Sequence, residues 1–288
     1  MQLSQVNTSF DNPYLPPIDY QPIPGAKSWH ELNYAQIRGF RPLALDVHVP
    51  SDAPGPVPCV IYLHGGSFNA GDRRHLPGNW PANGLFEKLI AAGLAVATVD
   101  YRLLDEAGPL AEVQDCAAAV RYLRHLADEL RIDADRFNLW GESAGATLAA
   151  LVGFAAGTEH EPLLGQLGVP DESATVRSIV LYYPPTDMAK MAAEVGDVLP
   201  LNDIDTAQIA AFSPVRYVHP AISPTLIVHG SSDTVVPVNQ GQLLYDELRS
   251  ADVDVELREI PGADHCFEPI DPNPILDATI EWVAKSLS

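Results

Sequence analysis

Short, unbroken apolar runs alternate along this chain with longer stretches in which apolar residues recur every three or four positions. The runs at 60–63, 94–99, 137–140, 178–183 and 226–229 read as strands buried on both faces, since they show no polar alternation, and 253–260 reads as a further strand. Between them, 110–130 sets Val113, Ala117, Val120, Leu123, Ala127 and Leu130 on one stripe, which predicts a helix lying on a sheet. Similar but shorter patterns predict helices at 85–92, 239–251 and 274–286. Residues 43–49 alternate apolar and polar side chains, as an outer antiparallel strand does, and the Pro-rich 50–58 ends that strand in a turn. Strands and helices in alternation predict an α/β fold with a mostly parallel sheet flanked by helices on both faces.

Two stretches break the rhythm. Residues 1–30, with Pro13, Pro16, Pro17, Pro22 and Pro24, are read as an extended and loosely packed N-terminal strap, in which Tyr14 and Tyr20 are the side chains that could roof a pocket. Residues 184–224 are long, helix-rich and acidic (Asp187, Glu194, Asp197, Asp203, Asp205), and are read as a small helical cap over the catalytic edge of the sheet. No internal repeat, low-complexity tract or linker marks a boundary, so 1–288 is expected to be a single domain.

Charge narrows the range of partners. With 38 acidic against 17 basic residues the chain carries a formal −21, which argues against nucleic acid and anionic membranes and favours a neutral small-molecule substrate. No run of 18 apolar residues is present, and residues 1–20 lack a basic segment followed by an apolar one; the expectation is a soluble, cytoplasmic protein. A homodimer is left open. Cys59, Cys116 and Cys266 are far apart and show no metal or redox spacing, so they read as free thiols.

Candidate chemistry gathers where the predicted strands end. After the run at 137–140 comes Gly141-Glu142-Ser143-Ala144-Gly145, a strand-to-helix turn that would hold Ser143 at its apex with its hydroxyl clear of the sheet. The helix N-terminus behind it offers unpaired amides to a negative charge. His64-Gly65-Gly66 follows the run at 60–63, and Gly65 and Gly66, with the amide of Ala144, are the candidate oxyanion hole. His229-Gly230-Ser231-Ser232-Asp233 leaves the next-to-last strand, and Gly262-Ala263-Asp264-His265 leaves the last. Of nine histidines, His265 is the candidate base. Asp233 is the candidate acid behind it. Asp264, Asp254 and Asp252 compete by proximity in sequence, but the last two lie in or beside a strand, and an immediate neighbour of His265 is badly placed to accept from its ring.

The order Ser143, Asp233, His265 resembles that of the α/β-hydrolases. From about Asn33 onward the chain is similar to the hormone-sensitive-lipase-like carboxylesterases, most of all the acetyl-esterase and feruloyl-esterase-like (BD-FAE-type) branch near bacterial kynurenine formamidases. Asp100-Tyr101-Arg102-Leu103, Gln114-Asp115 and Val236-Pro237 carry the resemblance together with the motifs above. Ser67 and Ala146 stand where many relatives have glycine. The resemblance implies a serine carboxylesterase for short acyl esters with a Ser-His-Asp triad and an acyl-enzyme, needing no metal or organic cofactor, with Glu142 in a structural role behind the elbow. An arylformamidase-like amide hydrolase would use the same residues, and a hydrolase-fold binding module that has lost catalysis would usually lack one of them.

Overall fold

In a computed structural model of the chain, residues 22–74, 76–195 and 205–288 are described. Eight strands appear among them: β1 (Ala26–Ala35), β2 (Leu43–Pro50), β3 (Val57–Leu63), β4 (Ala95–Val99), β5 (Ile132–Glu142), β6 (Ser178–Tyr182), β7 (Thr225–Gly230) and β8 (Val255–Ile260). They form one sheet in the order β1-β2-β4-β3-β5-β6-β7-β8. β1, β2 and β4 pair antiparallel, and every other neighbour pairs parallel. All six parallel strands therefore end on one edge, where loops rather than ladder bonds take over the chain.

The two faces of the sheet are read directly from alternate residues. Cys59, Ile61 and Leu63 of β3, Phe137 and Leu139 of β5, and Ile179 and Leu181 of β6 join one core. Val60, Tyr62, Trp140, Val180 and Tyr182, at the intervening positions, join the other. The helices that cover them follow in chain order: α1 (Gly84–Ala91), α2 (Leu104–Ala107), α3 (Pro109–His125), α4 (Ala127–Leu130), α5 (Ala144–Ala155), α6 (Met188–Val195), α7 (Thr206–Ala211), α8 (Asn239–Ser250) and α9 (Asn273–Ser286). The apolar sides of α3, α5 and α8 close the first face, and those of α1 and α9 the second. α5 is apolar all round and buried along nearly its whole length, as a helix must be when it is enclosed between the sheet and other helices.

Three differences from the sequence-based expectations stand out. Residues 26–30 belong to a strand, not to a strap; a bulge between Trp29 and Leu32, with Glu31 at φ 57°, interrupts the period of two that would have announced β1. The helix expected over 110–130 is two helices, α3 and α4, divided at Leu126. Strand β5 begins five residues earlier than its apolar run, at Ile132. Tyr14 and Tyr20 lie outside the described residues. In the stretch expected to form a cap, α6 and α7 pack on one another, and 196–204 lie outside the described residues. Among the described residues no helix is long and apolar enough to cross a membrane.

Candidate active site

The turn between β5 and α5 is shaped by what its neighbours lack. A Cβ at Gly141 would run into the backbone of Gly145, and one at Gly145 would run into the carbonyls of Leu63 and His64, so helix and strands approach as closely as backbone allows. Ser143 between them takes φ 51° and ψ −119°, a conformation that L-residues rarely adopt, and its amide donates to Tyr182 O at 2.9 Å. The turn thereby presents the serine side chain at the carboxyl edge of the sheet.

His265 reaches that serine from the loop after β8. Its Nε2 lies 3.2 Å from Ser143 Oγ and its Nδ1 2.8 Å from Asp233 Oδ2. An ionised carboxylate only accepts, so Nδ1 carries the proton and Nε2 turns a lone pair toward the serine hydroxyl. The imidazole packs edge-on against Tyr183, with ring centroids 4.6 Å apart. Asp233 sits in the loop after β7, where its Oδ1 accepts from the amides of Val235 at 2.9 Å and Val236 at 2.8 Å. Burial alone would raise the pKa of Asp233, but hydrogen bonding from His229 and His265 and the nearby His265 imidazole outweigh it and hold the carboxyl well below the usual carboxylate range.

The competing acid does something else. Asp264 Oδ1 accepts from the amides of Thr234 and His265, each at 2.7 Å, and from Thr234 Oγ1 at 2.9 Å. It fastens the loop after β8 to the loop after β7 and makes no bond to the His265 ring. Asp252 and Asp254 precede β8 at the opposite end of that strand.

The expected oxyanion hole is changed at one position. The Gly65 amide donates to Glu142 Oε1 by a short hydrogen bond, so it is already taken by a side chain. Gly66 and Ala144 have no acceptor for their amides among the described residues. Glu142 is buried, and burial pushes its carboxyl pKa up while the Gly65 amide pulls it back. Its role is structural, as expected, and specific: the residue before the serine anchors the loop after β3.

Other motif residues also acquire partners. Tyr101 stacks on His64 at 4.4 Å and donates to its carbonyl at 2.6 Å, while His64 Nδ1 lies 2.7 Å from Gly65 O. Arg102 forks onto Asp115 at 2.8 and 2.7 Å, and its amide donates to the same carboxylate at 2.9 Å, so the loop after β4 is tied to α3. Asn79 Nδ2 and Trp80 Nε1 donate to Cys266 O at 2.9 and 3.1 Å, which joins the loop after β3 to the one bearing His265. Around Ser143 the pocket wall is made by Ser67, Leu76, Pro77, Val235 and Cys266. None of the described residues lining it carries a fixed positive charge. Among the described residues no group of three or more His, Cys, Asp or Glu is arranged to hold a metal ion.

Sequence reasoning missed His229, which is buried directly against Asp233. Its signal was the His-Gly-x-x-Asp spacing, four residues from the acid.

Known proteins resemble this chain over most of its length. Esterase LipQ of Mycobacterium tuberculosis is 27% identical over 242 residues, 80% of this chain and 55% of that protein. Ethyl acetate hydrolase of Pseudomonas putida is 29% identical over 248 residues, 80% of this chain and 70% of that one. The chain thus spans little more than half of LipQ. A solved structure described as a truncated form of a carbohydrate esterase from gut microbiota superposes with a TM-score of 0.74 at 24% identity, covering 90% of this chain and 96% of that one, and shares its fold. The BD-FAE family model matches residues 45–248, well over half of the chain and including both Ser143 and Asp233. A parallel sheet that gathers a serine elbow, an acid loop and a histidine loop at one edge is the α/β-hydrolase architecture, and within it this chain belongs to the BD-FAE family.

Proposed function

We propose that the protein is a serine carboxylesterase that hydrolyses short acyl esters through an acyl-enzyme. The observation that carries this reading is the unbroken line Ser143 Oγ, His265 Nε2, His265 Nδ1, Asp233 Oδ2, with spacings of 3.2 and 2.8 Å at its two hydrogen bonds. In this line His265 takes the Ser143 proton as the oxygen attacks the ester carbonyl carbon. The amides of Gly66 and Ala144 hold the resulting oxyanion, and its collapse expels the alcohol, which leaves with the proton from His265. Water then attacks the acyl-enzyme with the same assistance, releasing the carboxylic acid and restoring Ser143. Asp233 stays ionised throughout and keeps the ring in one tautomer and one orientation.

Similarity to proteins named esterase and ethyl acetate hydrolase supports the ester as substrate. The pocket lining favours a neutral ester over N-formylkynurenine, whose carboxylate has no fixed cation to meet among the described lining residues. The test is a panel of p-nitrophenyl esters from acetyl to decanoyl, run beside N-formylkynurenine on the wild type and on Ser143→Ala. Acetyl to butyryl esters should turn over best, because each further methylene gains about 0.8 kcal/mol only while the pocket has room for it. Ser143→Ala should lose on the order of 10⁶ in kcat. Faster turnover of the formamide than of any ester would replace the ester reading, and a variant retaining more than a few per cent of activity would remove Ser143 as nucleophile.

A further inference from the structure

A second histidine stands behind Asp233. His229, near the end of β7, is fully buried, and its Nε2 lies 2.8 Å from Val236 O and 3.5 Å from Asp233 Oδ2, the oxygen that His265 also uses. Both neighbours are acceptors, so Nε2 carries the proton and Nδ1 is left with a lone pair. That Nδ1 has no hydrogen-bond partner among the described residues. A buried polar atom in this condition destabilises the fold, and an apolar side chain of similar size would avoid the cost. The ring fits there because α8 passes it with Gly241, where a Cβ would stand 2.7 Å from Nδ1.

The contacts of His229 converge on the acid from two directions. By donating to Val236 O, the ring pins from outside the same residue whose amide, with that of Val235, grips Asp233 Oδ1. Its N–H also stands beside Oδ2. We infer that His229 is a positioning residue for the hydrolytic reaction, holding Asp233 so that Oδ2 faces His265 Nδ1; this rests on the reading of Asp233 as the partner of His265. His229 does not line the pocket and acts only through the acid. Its hydrogen bonding is the foremost influence that opposes burial and keeps Asp233 ionised, in agreement with the geometry.

The experiment compares His229→Phe and His229→Gln, each alone and with Asp233→Asn, by steady-state kinetics on p-nitrophenyl acetate and by thermal melting. Phe keeps ring volume without a donor, whereas Gln keeps an amide that can donate to Val236 O. His229→Phe should lower kcat roughly 10- to 100-fold, as a displaced catalytic group does, with KM changed less than about twofold. His229→Gln should recover most of that loss. In the Asp233→Asn background His229→Phe should bring no further loss, because the two residues act as a unit. Should the Phe variant not fold, Gly241→Ala pushes the ring from the α8 side and should lower kcat in the same sense. Wild-type kcat in the Phe variant, or in Gly241→Ala where that stands in for it, would overturn the inference. So would equal losses in Phe and Gln, or full additivity with Asp233→Asn. If Asp233→Asn itself left kcat unchanged, the reading of Asp233 would fall first; a large loss there with a silent His229→Phe would remove the positioning role alone.

Discussion

Two aspartates lie near His265, and their hydrogen bonds separate their roles. Asp233 meets the ring at 2.8 Å with its other oxygen held by two amides, whereas Asp264 spends its bonds on Thr234 and on the His265 backbone. Asp233→Asn should therefore lower kcat by roughly 10⁴ through the wrong imidazole tautomer. Asp264→Asn, which loosens a tie between loops, should cost less than about tenfold by comparison with losses at a positioned acid. Kinetics of both variants on one activated ester, with circular dichroism to establish folding, make the comparison; a larger loss at Asp264 would reverse the assignment.

At the scale of elements, the site depends on how closely α5 is laid against β3 and β5. Gly145 is the contact point, because any Cβ there would press on the end of β3, the strand that leads into His64, Gly65 and Gly66. Gly145→Val should lower stability in urea by about 1–3 kcal/mol, as overpacking does. It should also lower kcat, since the displaced strand end carries the amide proposed to meet the oxyanion. A variant with wild-type stability and turnover would mean that the elbow yields where the packing says it cannot.

Over the whole molecule, buried and surface charge act in different ways. Glu112 of α3 is fully buried, neither carboxyl oxygen has a hydrogen-bond partner among the described residues, and burial, with Asp115 and Glu106 nearby, raises its pKa well above the usual value. A carboxyl whose folded pKa is raised binds more protons when folded. Its favourable contribution is complete below the unfolded pKa of about 4.3 and is lost as pH rises toward the folded pKa. Glu112→Gln, which imitates the protonated form, should match the wild type in thermal midpoint at pH 4 and exceed it at pH 8. A lower midpoint at pH 8 would show that the ionised carboxylate is stabilised by a partner. The chain carries a formal −21, and none of the described lining residues opposes it with a fixed positive charge. p-Nitrophenyl acetate should be preferred several-fold over p-nitrophenyl hemisuccinate at low salt, with the ratio narrowing as the screening length falls to about 10 Å at 0.1 M. A ratio independent of salt would assign the preference to contacts inside the pocket instead.

The sequence by itself determined the alternation of buried strands and helices, the serine elbow, and the loops that bring Asp233 and His265 to one edge. These features are local: apolar period, glycine at a tight turn and the residue type at a strand end are properties of neighbouring residues. β1 was hidden because its bulge breaks the period by which a strand is recognised. Only the tertiary structure decided that the Gly65 amide belongs to Glu142, 77 residues away, and that His229 is buried behind the acid. Each is a pairing of a buried donor with an acceptor fixed by how loops from different strands pack, and the direction of an N–H or a carboxylate oxygen is not written in residue order.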